Sequence, residues 1–163
     1  VLHCFLLDGS GSMQAGGRLA QTAGLLQQLL QLAYQQRGQI AIVSFAGTRA
    51  VTHVYPTNAR PLSSRVVQDW LRAIDTGGAT PFAHGVGTVE ALLRQAAQRE
   101  PAQERWLWLL TDGRTRERPD APGHADVKIV IDCERERIAL GRCVELARHW
   151  EAEYFLLGDL IEG

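Results

Sequence analysis

Asp8, Ser10 and Ser12 stand in one Asp-Gly-Ser-Gly-Ser segment, Thr80 in Gly-Gly-Ala-Thr-Pro, and Asp112 in Thr-Asp-Gly. Two carboxylates and three hydroxyls are hard oxygen donors of the kind Mg²⁺ takes in an octahedral shell while keeping several of its waters. Carboxylates brought close together repel, and a divalent cation relieves that repulsion. With the hydroxyls as direct ligands and the carboxylates acting largely through water, the cation would stay electrophilic. A remaining position would then favour an anionic visitor such as the Asp or Glu of a partner. The occupant expected from these donors is Mg²⁺, with Mn²⁺ as an alternative.

Five side chains from three distant segments meet only if the fold carries their loops to one place. Val1 to Leu7 is a nearly continuous apolar run, as in a strand buried on both faces. Asp8 to Gly17 is Gly- and Ser-rich, and Leu19, Ala23, Leu26 and Leu30 then recur at helical spacing over Arg18 to Gln36. Gln39 to Phe45 reads as a second strand, and Arg49 to Tyr55 as its hairpin partner, ended by Pro56. Ser63 or Ser64 caps a predicted helix to about Ile74. Thr80-Pro81 signals another helix, with Pro81 at its first position, running to about Arg99. Trp106 to Leu110 and Val127 to Ile131 are further strands, Arg135 to Trp150 a helix, and Tyr154 to Leu157 a last strand.

Strands alternate with helices, so the expected fold is α/β: a mainly parallel sheet with one antiparallel edge strand and helices on both faces. In such a sheet, ligands bind beyond the carboxyl ends of the strands, where the strand order reverses. Asp8 and Asp112 would each follow one of two neighbouring strands at that point. The first helix would aim its N-terminus, which favours anions, at the same crevice.

The 163 residues suit one domain with a sizeable core. Because the net charge is −1, no overall bias toward nucleic acid or membrane is expected. The cations are almost all arginine, with Lys128 the single lysine. No segment approaches the roughly 20 apolar residues of a membrane-spanning helix. The chain starts inside a strand-like run without Met, so it is expected to be a piece of a longer protein. Cys4, Cys133 and Cys143 fit neither a disulfide framework nor a zinc site, which points to a reducing cytoplasm.

Asp8-Gly9-Ser10-Gly11-Ser12, Thr80 and Asp112 together resemble the metal-ion-dependent adhesion site of von Willebrand factor A domains, with all three segments in that family's order. The resemblance covers residues 1–163 and implies a Rossmann-like sandwich. Gly77-Gly78-Ala79-Thr80-Pro81, Leu110-Thr111-Asp112-Gly113-Arg114, Val130-Ile131-Asp132-Cys133-Glu134, Gly141 to Ala147 and Glu153-Tyr154-Phe155-Leu156-Leu157 are most similar to the C-terminal integrin-I-like domain of magnesium chelatase D subunits. Cobaltochelatase subunits share the pattern. Phe82 replaces a usual Leu, and Arg114-Thr115 a small residue and Asn, but neither change falls on a ligand.

What the resemblance implies is a Mg²⁺-dependent protein-interaction module. It would bridge an AAA+ ATPase subunit and a large tetrapyrrole-binding subunit, in tetrapyrrole or cobalamin biosynthesis, without inserting the metal itself. The alternative is a general von Willebrand A module for adhesion or complex assembly. A metal-assisted phosphohydrolase is the remaining rival, although no general base or phosphate-gripping Lys accompanies the carboxylates.

Other motifs recede. Gly9 and Gly11 begin a G-x-G-x-x-G, but Gln14 takes its third glycine position, and no G-x-x-x-x-G-K-[ST] exists. Ser10 stands where an aspartyl-nucleophile phosphatase needs its second Asp. Arg114, Arg116 and Arg118 read either as a solvated loop or as a basic rim steering an acidic partner. Asp132 is expected to cap the following helix. The five histidines include no pair at ligand spacing, and His84 reads as structural. Trp106 and Trp108 read as core, while Trp70 and Trp150 seat helices on the sheet.

Overall fold

A computed structural model of the chain describes residues 1–14, 17–72, 81–134 and 141–161. The elements run β1 (Leu2–Asp8), α1 (Gly11–Gln14), α2 (Arg18–Gln35), β2 (Gln39–Ala46), β3 (Arg49–Asn58), α3 (Ser64–Arg72), α4 (Phe82–Arg99), β4 (Arg105–Thr111), β5 (Val127–Asp132), α5 (Arg142–Trp150), β6 (Glu153–Leu156) and α6 (Leu157–Ile161). One six-stranded sheet has the order β3-β2-β1-β4-β5-β6. Only the β2–β3 pairing is antiparallel. The α/β architecture, with one antiparallel edge strand, is the one the alternating pattern predicts.

β1 lies in the middle of the sheet and is buried at every position, which is why it carries no polar alternation. Its side chains divide between two cores. Leu2, Cys4 and Leu6 join Phe45, Phe82, Val86, Val89 and Trp150 on the face covered by α4 and α5. Phe5 and Leu7 join Leu26, Leu30, Val67 and Leu71 on the face covered by α2 and α3. At about 25 cal/mol per Å² of apolar surface, two such cores supply most of the drive that holds the loops in place.

Three boundaries differ from expectation. β3 continues through Pro56 to Asn58. It is an edge strand, and its pairing with β2 shifts register around Ile42, so the N–H that Pro56 lacks falls at an irregularity. α4 begins at Phe82, with Pro81 as its N-cap. The Ala83 N–H at that end is received by the Glu117 carboxylate at 3.0 Å. α5 begins at Arg142 behind Gly141, and residues 135–140, the expected start of this helix, lie outside the described residues.

Trp106 and Trp108 are half-buried rather than core. They form an aromatic group with His3 and Phe5 on one side of the sheet. The Trp108 indole N–H donates to His3 Nδ1 at 3.1 Å. Trp150 does seat α5: it is buried, stacks on Phe82, and donates to the Pro119 carbonyl. Trp70 of α3 stacks on His53 of β3 with centroids 4.8 Å apart. His84 accepts the Ala50 N–H at 3.0 Å and so ties α4 to β3.

Candidate metal centre

The chain leaves β1 toward β2 and β3, then returns to place β4 on β1's other side. The order therefore reverses between β1 and β4. Leu7 pairs with Leu110 there, so the ends of the two strands, Asp8 and Thr111-Asp112, emerge side by side. Asp8 is the last residue of β1 and Asp112 follows the last residue of β4. Both carboxylates are thus fixed by the sheet rather than by a free loop.

Asp8 is 2% exposed and Asp112 1%. Asp8 Oδ1 accepts the Ser10 N–H at 2.8 Å, and Asp8 Oδ2 accepts the Thr111 hydroxyl at 2.7 Å. The Ser10 and Ser12 hydroxyls lie 3.1 Å apart, and the Ser12 hydroxyl donates to Asp112 Oδ2. Asp112 Oδ1 accepts the Arg114 N–H at 3.1 Å. Four of the five expected site residues are accordingly joined in one hydrogen-bonded chain, Asp8, Ser10, Ser12 and Asp112, with the Ser10 backbone N–H as the first link and hydroxyls as the others. Thr80 lies outside the described residues.

This donor set fits a hard divalent cation. With Mg–O distances of about 2.0–2.1 Å, neighbouring oxygens of an octahedron sit about 3 Å apart, close to the Ser10–Ser12 spacing. Among the described residues, no group of three or more His, Cys, Asp or Glu side chains converges as a metal site, so hydroxyls must carry part of any shell here. Electrostatics agree. Burial first, and then the neighbouring Asp112 charge, push the Asp8 carboxyl up to about 6, against the opposing hydrogen bonds from Thr111 and Ser10. A carboxylate that resists ionisation in the metal-free protein is one that a cation would relieve.

Gly113 sets the turn that follows. Its φ is +74°, and a Cβ there would lie 2.8 Å from Cys143 Sγ, so only glycine lets the loop close against α5. Burial also raises the Cys133 and Cys143 thiols far above their usual range, which keeps them protonated. Cys4, buried in the same core as Cys143, is pushed up to about 12. None of the three forms a disulfide.

The three arginines of the expected rim differ in placement. Arg114 is half-buried, with Nε 3.8 Å from Asp112 Oδ2. Arg116 is exposed. The Arg118 guanidinium donates to the carbonyls of Thr115 and Glu117, and more distantly to that of Gly113, so it braces the loop from within.

Asp132 does not cap α5, whose N-cap is Gly141. It is buried beside Thr111 in the sheet register. It receives the Glu134 N–H at 2.9 Å and the Tyr154 hydroxyl at 2.5 Å. Its described partners are thus its own backbone two residues on and β6, not the first turn of α5.

Two further residues shape the site without having been expected. Thr111 orients Asp8, and the Thr-Asp-Gly motif contained it without disclosing which strand it would face. Arg18, the first residue of α2, is 9% exposed, donates to the Ser12 carbonyl at 2.7 Å, and lies 4.0 Å from Asp112 Oδ2. Nothing in its local sequence marks it, because an Arg opening a helix ordinarily points to solvent.

A family model described as von Willebrand factor type A domain matches residues 4–114. An uncharacterized protein of Mycobacterium tuberculosis is 32% identical over 98% of the chain and 26% of its own length. The magnesium-chelatase 67 kDa subunit of Chlorobaculum parvum is 34% identical over 70% of the chain and 17% of its own length. The magnesium-chelatase 60 kDa subunit of Rhodobacter capsulatus is 33% identical over 68% of the chain and 18% of its own length. The chain therefore spans about a quarter or less of these relatives. Among solved structures, the conserved hypothetical protein BatB of Bacteroides thetaiotaomicron superposes with a TM-score of 0.66 at 15% identity, over 100% of both chains. An aerotolerance-related membrane protein of Bacteroides fragilis gives 0.61 at 17% identity, over 99% of this chain and 96% of that one. At such identities the structures speak for the fold alone. No helix among the described residues is long and apolar enough to cross a membrane.

Proposed function

The chain belongs to the von Willebrand factor type A domain family, and on that premise we propose that it is a Mg²⁺-dependent protein-interaction module of a magnesium- or cobalt-chelatase D-type subunit. In this reading it bridges an AAA+ ATPase subunit and the tetrapyrrole-binding subunit within a cytoplasmic assembly, and performs no catalysis itself. The similarity to magnesium-chelatase subunits supports the chelatase setting. Three buried free thiols accord with a reducing compartment.

The observation that carries the reading is the oxygen cluster of Asp8, Ser10, Ser12 and Asp112 at the carboxyl ends of β1 and β4. Bound there, Mg²⁺ would supply a coordination position for a partner's Asp or Glu carboxylate. Ser10 and Ser12 offer neutral oxygens, with Thr80 as the expected third hydroxyl. Both oxygens of Asp8 already accept hydrogen bonds, which suits a carboxylate acting through water. Arg116, exposed beyond Arg114, would attract acidic partners before contact.

The test is capture of the ATPase subunit by this chain with Mg²⁺ and with chelator, for the natural sequence and for Asp8→Ala. Capture that needs both Mg²⁺ and Asp8 is the expected result. Equal capture in all four conditions would overturn the proposal.

A further inference from the structure

Arg18 sits where a cation is least at home. It opens α2, and a helix N-terminus carries partial positive charge. It is also buried, and a buried charge needs a partner. The partners it has belong to the oxygen cluster. Nη1 donates to the Ser12 carbonyl at 2.7 Å and lies 4.0 Å from Asp112 Oδ2, the oxygen that also receives the Ser12 hydroxyl. Among the described residues its Nε is buried without a hydrogen-bond partner. The site, not the surrounding core, therefore fixes the guanidinium, and its buried Nε–H remains uncommitted there.

We propose that Arg18 is a buried resident counter-cation of this cluster and makes the binding of a divalent cation and of an incoming carboxylate mutually dependent. The inference rests on the metal-site reading above and concerns how that site is regulated.

Formal charges give the reason. Asp8 and Asp112 with a divalent cation sum to zero, and Arg114, whose Nε lies 3.8 Å from Asp112 Oδ2, adds one positive charge. With Arg18 also present, the group carries two positive charges once the cation is bound, and an incoming carboxylate halves them. Arg18 thus moves the electrically balanced state away from cation alone and toward cation plus carboxylate, in the same direction as Arg114. Like-charge repulsion across a buried site is strong because little water screens it. The uncommitted Nε leaves the guanidinium free to turn toward the carboxylate without breaking a hydrogen bond there. Such a domain would hold its ion weakly when alone and firmly when docked.

Isothermal titration with MgCl₂ tests this on the natural chain, Arg18→Gln, Arg18→Lys and Asp8→Ala, each in potassium acetate and in potassium chloride of equal ionic strength. In chloride, Arg18→Gln is expected to bind Mg²⁺ about tenfold more tightly than the natural chain, and Arg18→Lys to stay near it. Acetate is expected to tighten Mg²⁺ binding by the natural chain clearly more than by Arg18→Gln, in which Arg114 remains beside Asp112. Unchanged or weaker binding by Arg18→Gln, with the acetate response kept, would overturn the proposal and reduce Arg18 to a brace for the Ser12 loop. If circular dichroism shows Arg18→Gln unfolded, the natural chain decides: absence of any acetate effect overturns the coupling. A natural chain that responds to MgCl₂ no more than Asp8→Ala would instead sink the metal reading itself.

Discussion

The Thr111 hydroxyl donates to Asp8 Oδ2 at 2.7 Å, joining the end of β4 to the end of β1. This bond spans the place where the strand order reverses, so the residue that fixes the first carboxylate precedes the second by one position. Thr111→Val keeps the shape and removes the donor. It should destabilise the metal-free domain by about 1–2 kcal/mol, the usual cost of leaving a buried acceptor short of a hydrogen bond. Urea titration of the two proteins reads this directly, and indistinguishable midpoints would deny the bond any role in holding Asp8.

Stability should depend on pH through Asp8. Its folded-state value of about 6 exceeds the ordinary 3.8, so the folded protein holds a proton that the unfolded chain has released between those values. The stabilisation from that proton is full below 3.8 and is lost as the pH rises through 6. Asp8→Asn removes the effect. At neutral pH the metal-free Asn variant should therefore gain on the natural chain, relative to their difference at pH 4, by on the order of 1–3 kcal/mol. Denaturation at both pH values checks this, and parallel profiles would contradict it.

The same Asp8→Asn substitution should have the opposite effect when Mg²⁺ is present. A ligand that binds only the folded state raises stability with its concentration. The natural chain should gain stability with added MgCl₂, and the variant should gain much less. Thermal melts over a Mg²⁺ series, with equal shifts in both proteins, would show that Asp8 takes no part.

Gly113→Ala should destabilise by about 2 kcal/mol or more. The substitution forces a side chain into a positive φ and into the space of Cys143 Sγ. Gly123, where a Cβ would meet nothing within 4 Å, serves as the control. Equal melting of Gly113→Ala and Gly123→Ala would mean that the loop after Asp112 can move away from α5 at no cost.

Charge reversal at Arg116 should slow association with an acidic partner most at low salt, where screening is weakest. Stopped-flow or surface binding kinetics at two ionic strengths would show it. An on-rate unchanged at low salt would make Arg116 an ordinary solvated side chain.

Apolar patterning with turn and cap signals determined the order of the six strands and of α2 to α5, because β1 had to be buried on both faces and α2 on one, whereas the short α1 and α6 were not expected. The patterning also placed Asp8 and Asp112 at strand ends, since Asp8 directly follows an apolar run and Asp112 follows one after Thr111. Local chain geometry did the rest for Ser10 and Ser12, which lie within four residues of Asp8. The Arg18 and Thr111 contacts and the true partners of Asp132 were decided only by tertiary structure. Those depend on strand register, on the end at which a helix meets the sheet, and on a turn whose closure requires Gly113. A side chain's partner across 90 or more residues is set by packing, and no local pattern in the chain encodes it.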